Sequence, residues 1–206
     1  MSQNKKKRRT GLFGGTFAPP HLGHLHAAET FLSEMALDEL IIMPTFIPPH
    51  KEHSAGDTPE LRFRMCRSMF GALPRTVVSD YEIRREGVSY TVNTLEHLME
   101  EDPEREIFLL CGTDMLLTLD TWRRAADIFS LCEIVCMPRY DGSLKEVIRK
   151  ADGYSERFGK KVTILSEDPF VLSSTEVREK IRQRSDLSEF LSQDVIEIIK
   201  NEGLYL

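Results

Sequence analysis

Six short apolar runs punctuate the chain, at residues 10–13, 40–43, 76–79, 107–111, 133–137 and 162–165, and each has the length of a strand. Between them the apolar positions fall at helical spacing. Leu22, Leu25, Ala28, Leu32 and Met35 recur at intervals of three and four, so they share one face of a helix. A second helix opens on Thr58-Pro59-Glu60: a capping hydroxyl, a proline where the backbone needs no donor, and an acid in the first turn. Its apolar ridge is Leu61, Met65, Met69 and Leu73. Further helical periods cover residues 90–99, 144–150, 175–183 and 195–199, while residues 44–57 and 141–142 read as surface loops. Strands alternating with helices predict βαβ units, hence an α/β fold with a doubly wound parallel sheet and a small helical C-terminal part.

At 206 residues, 41% hydrophobic and 29% charged, the chain suits one such domain, expected over residues 10–206. The longest apolar runs are far too short to span a bilayer. Residues 1–9 read as a solvated, disordered basic tail, and the glycines and prolines that follow exclude a signal peptide. The net charge is −6; the five cations of residues 5–9 contribute +5, which leaves −11 for the remainder. A body that acidic does not suit nucleic acid, and any phosphorylated ligand must be held by a few local donors. The four cysteines form no CxxC pair and no zinc spacing, and three of them sit in apolar surroundings, so they read as reduced, buried residues of a cytoplasmic protein.

The unusual residues all follow strands: "GGTFAPPHLGH" the first, "PTFIPPHK" the second, "DYEIRREGVSYT" the third, "CGTDML" the fourth, "PRYDG" the fifth and "SSTEVR" the sixth. In a parallel sheet these positions gather at the carboxyl edge, where open α/β folds bind ligands. Gly14 and Gly15 let a backbone approach a ligand closely and expose its amides. The turn then enters a helix whose first N–H groups are predicted to be unpaired and whose dipole end is positive. His21 and His24, three apart, can aim imidazole N–H groups at phosphate oxygens from the same side. Two other readings of the pair stand beside this one, a metal chelate and simple capping. The metal reading lacks both HExxH and a nearby third ligand. Neither GxxxxGK[ST] nor GxGxxG is present, so any phosphate grip here is of another kind.

"GGTFAPPHLGH" resembles the GGTFDPxHxGH signature of the bacterial nicotinate-nucleotide adenylyltransferases, in the HxGH nucleotidyltransferase superfamily, and "SSTEVR" resembles the ISSTxIR motif of the same superfamily. The likeness continues through "PPHK", "GVSYTVNTL", "GTDML", "TW" and the ending "GLYL", over about residues 10–206. The resemblance implies a Rossmann-like nucleotidyltransferase fold and the transfer of AMP from ATP, with Mg²⁺, to nicotinate mononucleotide, giving deamido-NAD and pyrophosphate. It implies that His21, His24 and Arg178 act on the ATP phosphates, and that Gly14, Gly15, Thr16 and Phe17 line the nucleotide. By the same likeness Ser173, Ser174 and Thr175 hold the triphosphate, and Gly112 and Asp114 lie by the nucleotide and ribose. Lys51 is implied near the mononucleotide phosphate, Ser89, Tyr90 and Thr91 near the nicotinate carboxylate, and Trp122 on the ring. No metal ligand comes from the protein, the ion being held by ATP; the partners are small molecules, not nucleic acid or membrane, and a homo-oligomer is left open.

Each of these residues also has a plain structural reading: Trp122 as packing, Ser173–Thr175 and Asp114 as helix caps, Lys51 as a loop charge. Ala18 stands where the signature carries an acid, which removes a carboxylate that could order the loop. Two alternatives follow, the same chemistry on nicotinamide mononucleotide and a nucleotide-binding sensor without turnover.

Overall fold

The computed structural model describes residues 7–49, 57–138 and 144–206. All six predicted strands form: β1 (Arg8–Gly15), β2 (Glu39–Pro44), β3 (Thr76–Val78), β4 (Arg105–Gly112), β5 (Glu133–Met137) and β6 (Val162–Ile164). They make one sheet in the order β3-β2-β1-β4-β5-β6, every pair parallel. Side chains alternate across it. Leu40 and Ile42 of β2, with Phe108 and Leu110 of β4, face one core; Ile41, Met43, Ile107, Leu109 and Cys111 face the other. Burial on both faces is why these strands read as continuous apolar runs.

β1 begins earlier than its apolar run, and this corrects the predicted tail at its inner end. Arg8 and Arg9 are strand residues: Arg8 pairs with Glu39, Arg9 reaches Glu106 at 3.0 Å, and the Arg9 amide donates to Asp38. Ion pairs along a strand leave no apolar signature to read. Residues 1–6 lie outside the described residues.

Helices cover both faces. α1 (Leu22–Glu34), α2 (Pro59–Phe70), α8 (Ser174–Arg182) and α9 (Gln193–Glu202) bury Phe31, Met65, Phe70, Val177, Ile181 and Val195 on one side. On the other, α4 (Thr91–Glu101), α5 (Thr113–Thr118), α6 (Ala125–Leu131) and α7 (Leu144–Phe158) bury Leu95, Leu116, Phe129 and Tyr154. The C-terminal helices are therefore part of the main core. α2 starts as the sequence predicts, with Thr58 Oγ1 accepting from the Leu61 amide at 3.3 Å and Pro59 in the first turn. Three short helices, α3 (Tyr81–Arg85), α5 and α6, were not legible, because five to seven residues make too few turns to show a period. The predicted loop over 44–57 falls partly outside the described residues, and that at 141–142 wholly so. No helix among the described residues is long and apolar enough to cross a membrane.

After β6 the chain runs back along α1. Glu34 accepts from the amides of Ser166 and Glu167 at 2.9–3.1 Å, and His26 Nε2 donates to the Asp168 carbonyl at 2.8 Å. This path ends with the Phe170 carbonyl against Gly23 and delivers α8 to the carboxyl edge of the sheet.

Gly11, inside β1, is the point where the sheet meets α1 most closely. A Cβ there would lie 2.5 Å from Leu37 Cδ1 and 2.7 Å from Phe31 Cε1, both fully buried side chains. Gly11→Ala is expected to cost about 1–3 kcal/mol by overpacking, read as a lower urea midpoint with an unchanged slope. An unchanged midpoint would mean that Leu37 and Phe31 repack freely.

Candidate active site

Strand order reverses between β1 and β4, and the crevice at such a switch point is where doubly wound sheets hold ligands. Here it is left open by glycine. A Cβ on Gly112 would meet no atom within 4 Å, and one on Gly14 would meet only the Met43 carbonyl at 4.0 Å. Gly112 is also the N-cap of α5, which places Asp114 in the first helical turn and not at the cap.

The turn from Gly14 to His24 closes one wall. Phe17 adopts a positive φ of 51° and turns its ring into the core, edge-on to Phe13 at 5.4 Å and to His24 at 5.0 Å. The Phe17 side chain thus buttresses His24 from within, and only its backbone stands at the turn. His24 stacks on the buried His21 ring at 3.6 Å, and its Nδ1 accepts from the His21 amide at 3.2 Å. An accepting Nδ1 leaves Nε2 as the nitrogen that carries the proton in the neutral ring, so His24 is set as a donor. Gly23 serves packing, because a Cβ there would stand 2.8 Å from the Phe170 carbonyl. One expectation fails at this helix start: the Leu22 amide donates to the Phe190 carbonyl at 2.8 Å, so the first turn of α1 is not fully available to an anion.

Three carbonyls of the turn are gripped from outside. Arg62 Nη1 donates to Thr16 O at 2.9 Å, Arg178 Nη1 to Ala18 O at 2.8 Å, and Ser174 Oγ to Pro19 O at 3.0 Å. The two signatures are thus brought into direct contact. Ser173 caps α8, accepting from the Glu176 amide at 3.2 Å while Glu176 accepts from the Ser173 amide at 2.8 Å, so its capping role is real. Arg178 also reaches Thr175 Oγ1 at 3.1 Å. Because Arg178 and Ser174 hold backbone carbonyls, the loop stays ordered without the acid that Ala18 replaces.

Arg62 is the residue that the sequence did not reveal. It is 1% exposed. Its guanidinium also donates to Thr45 O at 2.6 Å and Phe46 O at 3.0 Å, and it pairs with Asp57 at 3.0 Å; Tyr205 Oη in turn donates to Asp57 at 3.2 Å. The predicted ridge of α2 holds, with Met65 and Met69 buried and Leu61 and Leu73 packed against the same core; Arg62, Cys66 and Phe70 are buried beside it and widen the apolar face. A lone cation flanking that ridge was the available signal.

The acceptor-side motifs also converge. Arg123, next to Trp122, lies over the Tyr90 ring at 4.6 Å, and Arg124 bonds Glu96 of α4 at 2.8 Å, which brings the 121–124 turn onto the start of α4. Trp122 is half-buried against the core beneath. Ser89 is buried: its Oγ accepts from the Phe46 amide at 2.9 Å, and its own amide donates to Ile47 O at 2.9 Å. The Tyr90 amide donates to Val88 O, so the backbone amides of Ser89 and Tyr90 are both engaged. The Thr91 amide, at the first position of α4, donates to no described residue. Lys51 lies outside the described residues.

All four cysteines are free and buried; burial pushes the Cys136 thiol up to about 12 and Cys111 well above the ordinary range, which leaves no thiolate nucleophile. Among the described residues no three His, Cys, Asp or Glu side chains gather as a metal centre. The edge offers imidazole, guanidinium, hydroxyl and amide donors, a set that complements phosphate.

Comparison with known proteins agrees with this arrangement. The cytidylyltransferase-like family model matches residues 12–180. The chain is 32% identical to the probable nicotinate-nucleotide adenylyltransferase of Clostridium novyi, over 96% of this chain and 99% of that one. Against the probable enzyme of the same name from Synechococcus the identity is 35%, over 98% and 96%. In fold it is similar to a solved Plasmodium falciparum nicotinic acid mononucleotide adenylyltransferase complexed with NaAD, with a TM-score of 0.78 at 16% identity over 96% and 97% of the two chains. The chain belongs to the cytidylyltransferase-like family, and within it to the nicotinate-nucleotide adenylyltransferases.

Proposed function

We propose that the protein transfers AMP from ATP to nicotinate mononucleotide, giving deamido-NAD and pyrophosphate, in the biosynthesis of NAD. The meeting of both signatures at one crevice carries this reading, since Arg178 and Ser174 hold the turn that presents His24. Full-length relatedness to enzymes named for that reaction supports the acceptor. ATP lies across the switch point, its adenosine by Gly112 and Asp114 and its phosphates between His21, His24 and the start of α8. The backbone of residues 14–16 borders the nucleotide. An oxygen of the acceptor phosphate attacks the α-phosphorus; that P–O bond forms as the bond to the β-phosphate breaks, and pyrophosphate departs.

Such a transfer depends on alignment and on neutralising charge. His24 Nε2–H and the remaining guanidinium donors of Arg178 supply the neutralisation, together with Ser173, Thr175 and the α8 dipole. The donor set of the crevice does not fit a protein-held metal, so Mg²⁺ enters as part of the substrate, on the ATP phosphates. On the acceptor side Trp122 stacks on the pyridine ring, and Thr91 at the start of α4 meets the carboxylate, with Ser89 and Tyr90 shaping that turn. Arg85, which donates to Val88 O at 2.6 Å, and Arg123 make this rim cationic in an otherwise acidic protein. Lys51 is assigned to the mononucleotide phosphate. Free, buried thiols support a cytoplasmic setting. Pyrophosphate release with ATP, Mg²⁺ and a panel of acceptor nucleotides tests the reading.

Two outcomes are expected. His24→Ala should lower turnover by about 10²–10³ with folding nearly unchanged, as removal of one transition-state donor does. Wild-type turnover in that variant would remove its phosphate role. Nicotinate mononucleotide should also exceed nicotinamide mononucleotide in kcat/KM by at least about tenfold, roughly 1.4 kcal/mol, because the amide NH₂ offers nothing to the donors of the rim. Equal values would overturn the acceptor assignment and leave the adenylyl transfer intact.

A further inference from the structure

The acceptor-side turn rests on a buried acid that the sequence did not single out and that touches no proposed ligand. Glu82, on α3, is 6% exposed, and its Oε1 accepts from Thr94 Oγ1 of α4 at 2.5 Å. The Ser89 hydroxyl stands near the same carboxyl and favours its charged form. Oε2 is buried with no partner among the described residues. Burial pushes this carboxyl above the ordinary range, against the lowering effects of the Thr94 and Ser89 hydroxyls and the Arg85 and Arg62 charges. Because the folded-state pKa lies above the unfolded value, ionisation near neutral pH costs stability. Packing would be served better by an apolar residue, so the acid is kept for its directional bonds.

Those bonds lead somewhere specific. Ser89, beside Glu82, accepts with its hydroxyl oxygen from the Phe46 amide at 2.9 Å. Its backbone amide reaches Ile47 O at 2.9 Å, and Ile47 and Val88 form an isolated parallel bridge. Phe46 O in turn accepts from Arg62, whose other nitrogen holds Thr16 O. A continuous set of hydrogen bonds therefore runs from Ser89, which neighbours Glu82, through Phe46 and Arg62 to the glycine-rich turn. At the near end Thr94 lies one helical turn beyond Thr91, on the same α4.

We propose that Glu82 is a positioning residue for the acceptor side of the site: its carboxyl fixes residues 88–91 and the first turn of α4, and through Ser89 and Phe46 sets them in register with the nucleotide turn. The proposal rests on the assignment of residues 89–91 and Trp122 to the mononucleotide. Loss of the carboxyl lets this turn drift while the β1–α1 turn, still gripped by Arg62, Arg178 and Ser174, keeps its place. Acceptor binding suffers and ATP binding does not.

Steady-state kinetics on four variants of the full chain test this. Glu82→Ala should raise KM for nicotinate mononucleotide at least about tenfold, with KM for ATP within about twofold, since small misplacements of a positioning group cost that much or more. Glu82→Gln keeps a carbonyl acceptor for Thr94, so it should stay within about threefold of wild type for both substrates. Should Glu82→Ala fail to fold, Thr94→Val removes the donor without changing shape and should raise the mononucleotide KM alone. Trp122→Ala reports on the acceptor assignment independently. If Trp122→Ala raises that KM while Glu82→Ala or Thr94→Val leaves it unchanged, or shifts both KM values equally, the positioning role is wrong. If Trp122→Ala also leaves it unchanged, the acceptor assignment itself fails and the role of Glu82 falls with it.

Discussion

A single buried guanidinium holds the two loops on which this site depends. Arg62 is 1% exposed, and its donors satisfy the carbonyls of Thr16, Thr45 and Phe46 as well as the carboxylate of Asp57. Those carbonyls follow β1 and β2, just where the sheet ladder ends and the backbone has no regular partner. A buried ion pair is weak evidence for stability, because desolvation offsets most of the attraction. Its consequence is geometric. The planar fork of arginine reaches several acceptors at fixed angles, which a lysine cannot do. Tyr205 completes the set by donating to Asp57, so the last residues of the chain help to fix a turn near its beginning.

With the loops held in this way, the chemistry falls to side chains that need no further support. His24 is set as an Nε2 donor by an amide of its own helix start and is braced by Phe17 behind it. The second signature grips the far side of the same turn through carbonyls, not through side chains. That distinction explains how the turn accommodates Ala18: Arg178 reads the backbone oxygen of that residue, whatever its side chain. The same economy recurs at the exit of β2, where Ser89 uses its hydroxyl and its amide to tie that segment to the start of α4.

The sheet was legible because its central strands are buried on both faces and every strand carries its signal in a local run of apolar residues. Length decided which helices could be read: α1 and α2 show their period, and α3, α5 and α6 are too short to do so. The width of the buried face mattered as much, since the ridge of α2 was read correctly but Arg62, buried beside it, looked like its exposed neighbours Arg64 and Arg67. The histidines, glycines and serines of the two signatures stood out by type and spacing. What could not be read were hydrogen bonds to distant segments. Phe190 takes the Leu22 amide, a donor that looked unpaired when only its own helix start was in view, and Ile47 takes that of Ser89. The placement of the Phe17 ring was hidden for a related reason, because a positive φ turns it inward from the rest of the signature loop.

Three amides report directly on whether Arg62 holds the loops together: Thr45, which donates to Gly15 O at 3.0 Å, Phe46, which donates to Ser89 Oγ, and Ser89, which donates to Ile47 O. Arg62→Lys retains the charge and loses the fork. Native-state hydrogen exchange of that variant should show all three amides exchanging at least about tenfold faster, with the amides of the β1–β4 ladder at wild-type rates. Wild-type protection at Thr45, Phe46 and Ser89 would contradict the dependence of both loops on Arg62.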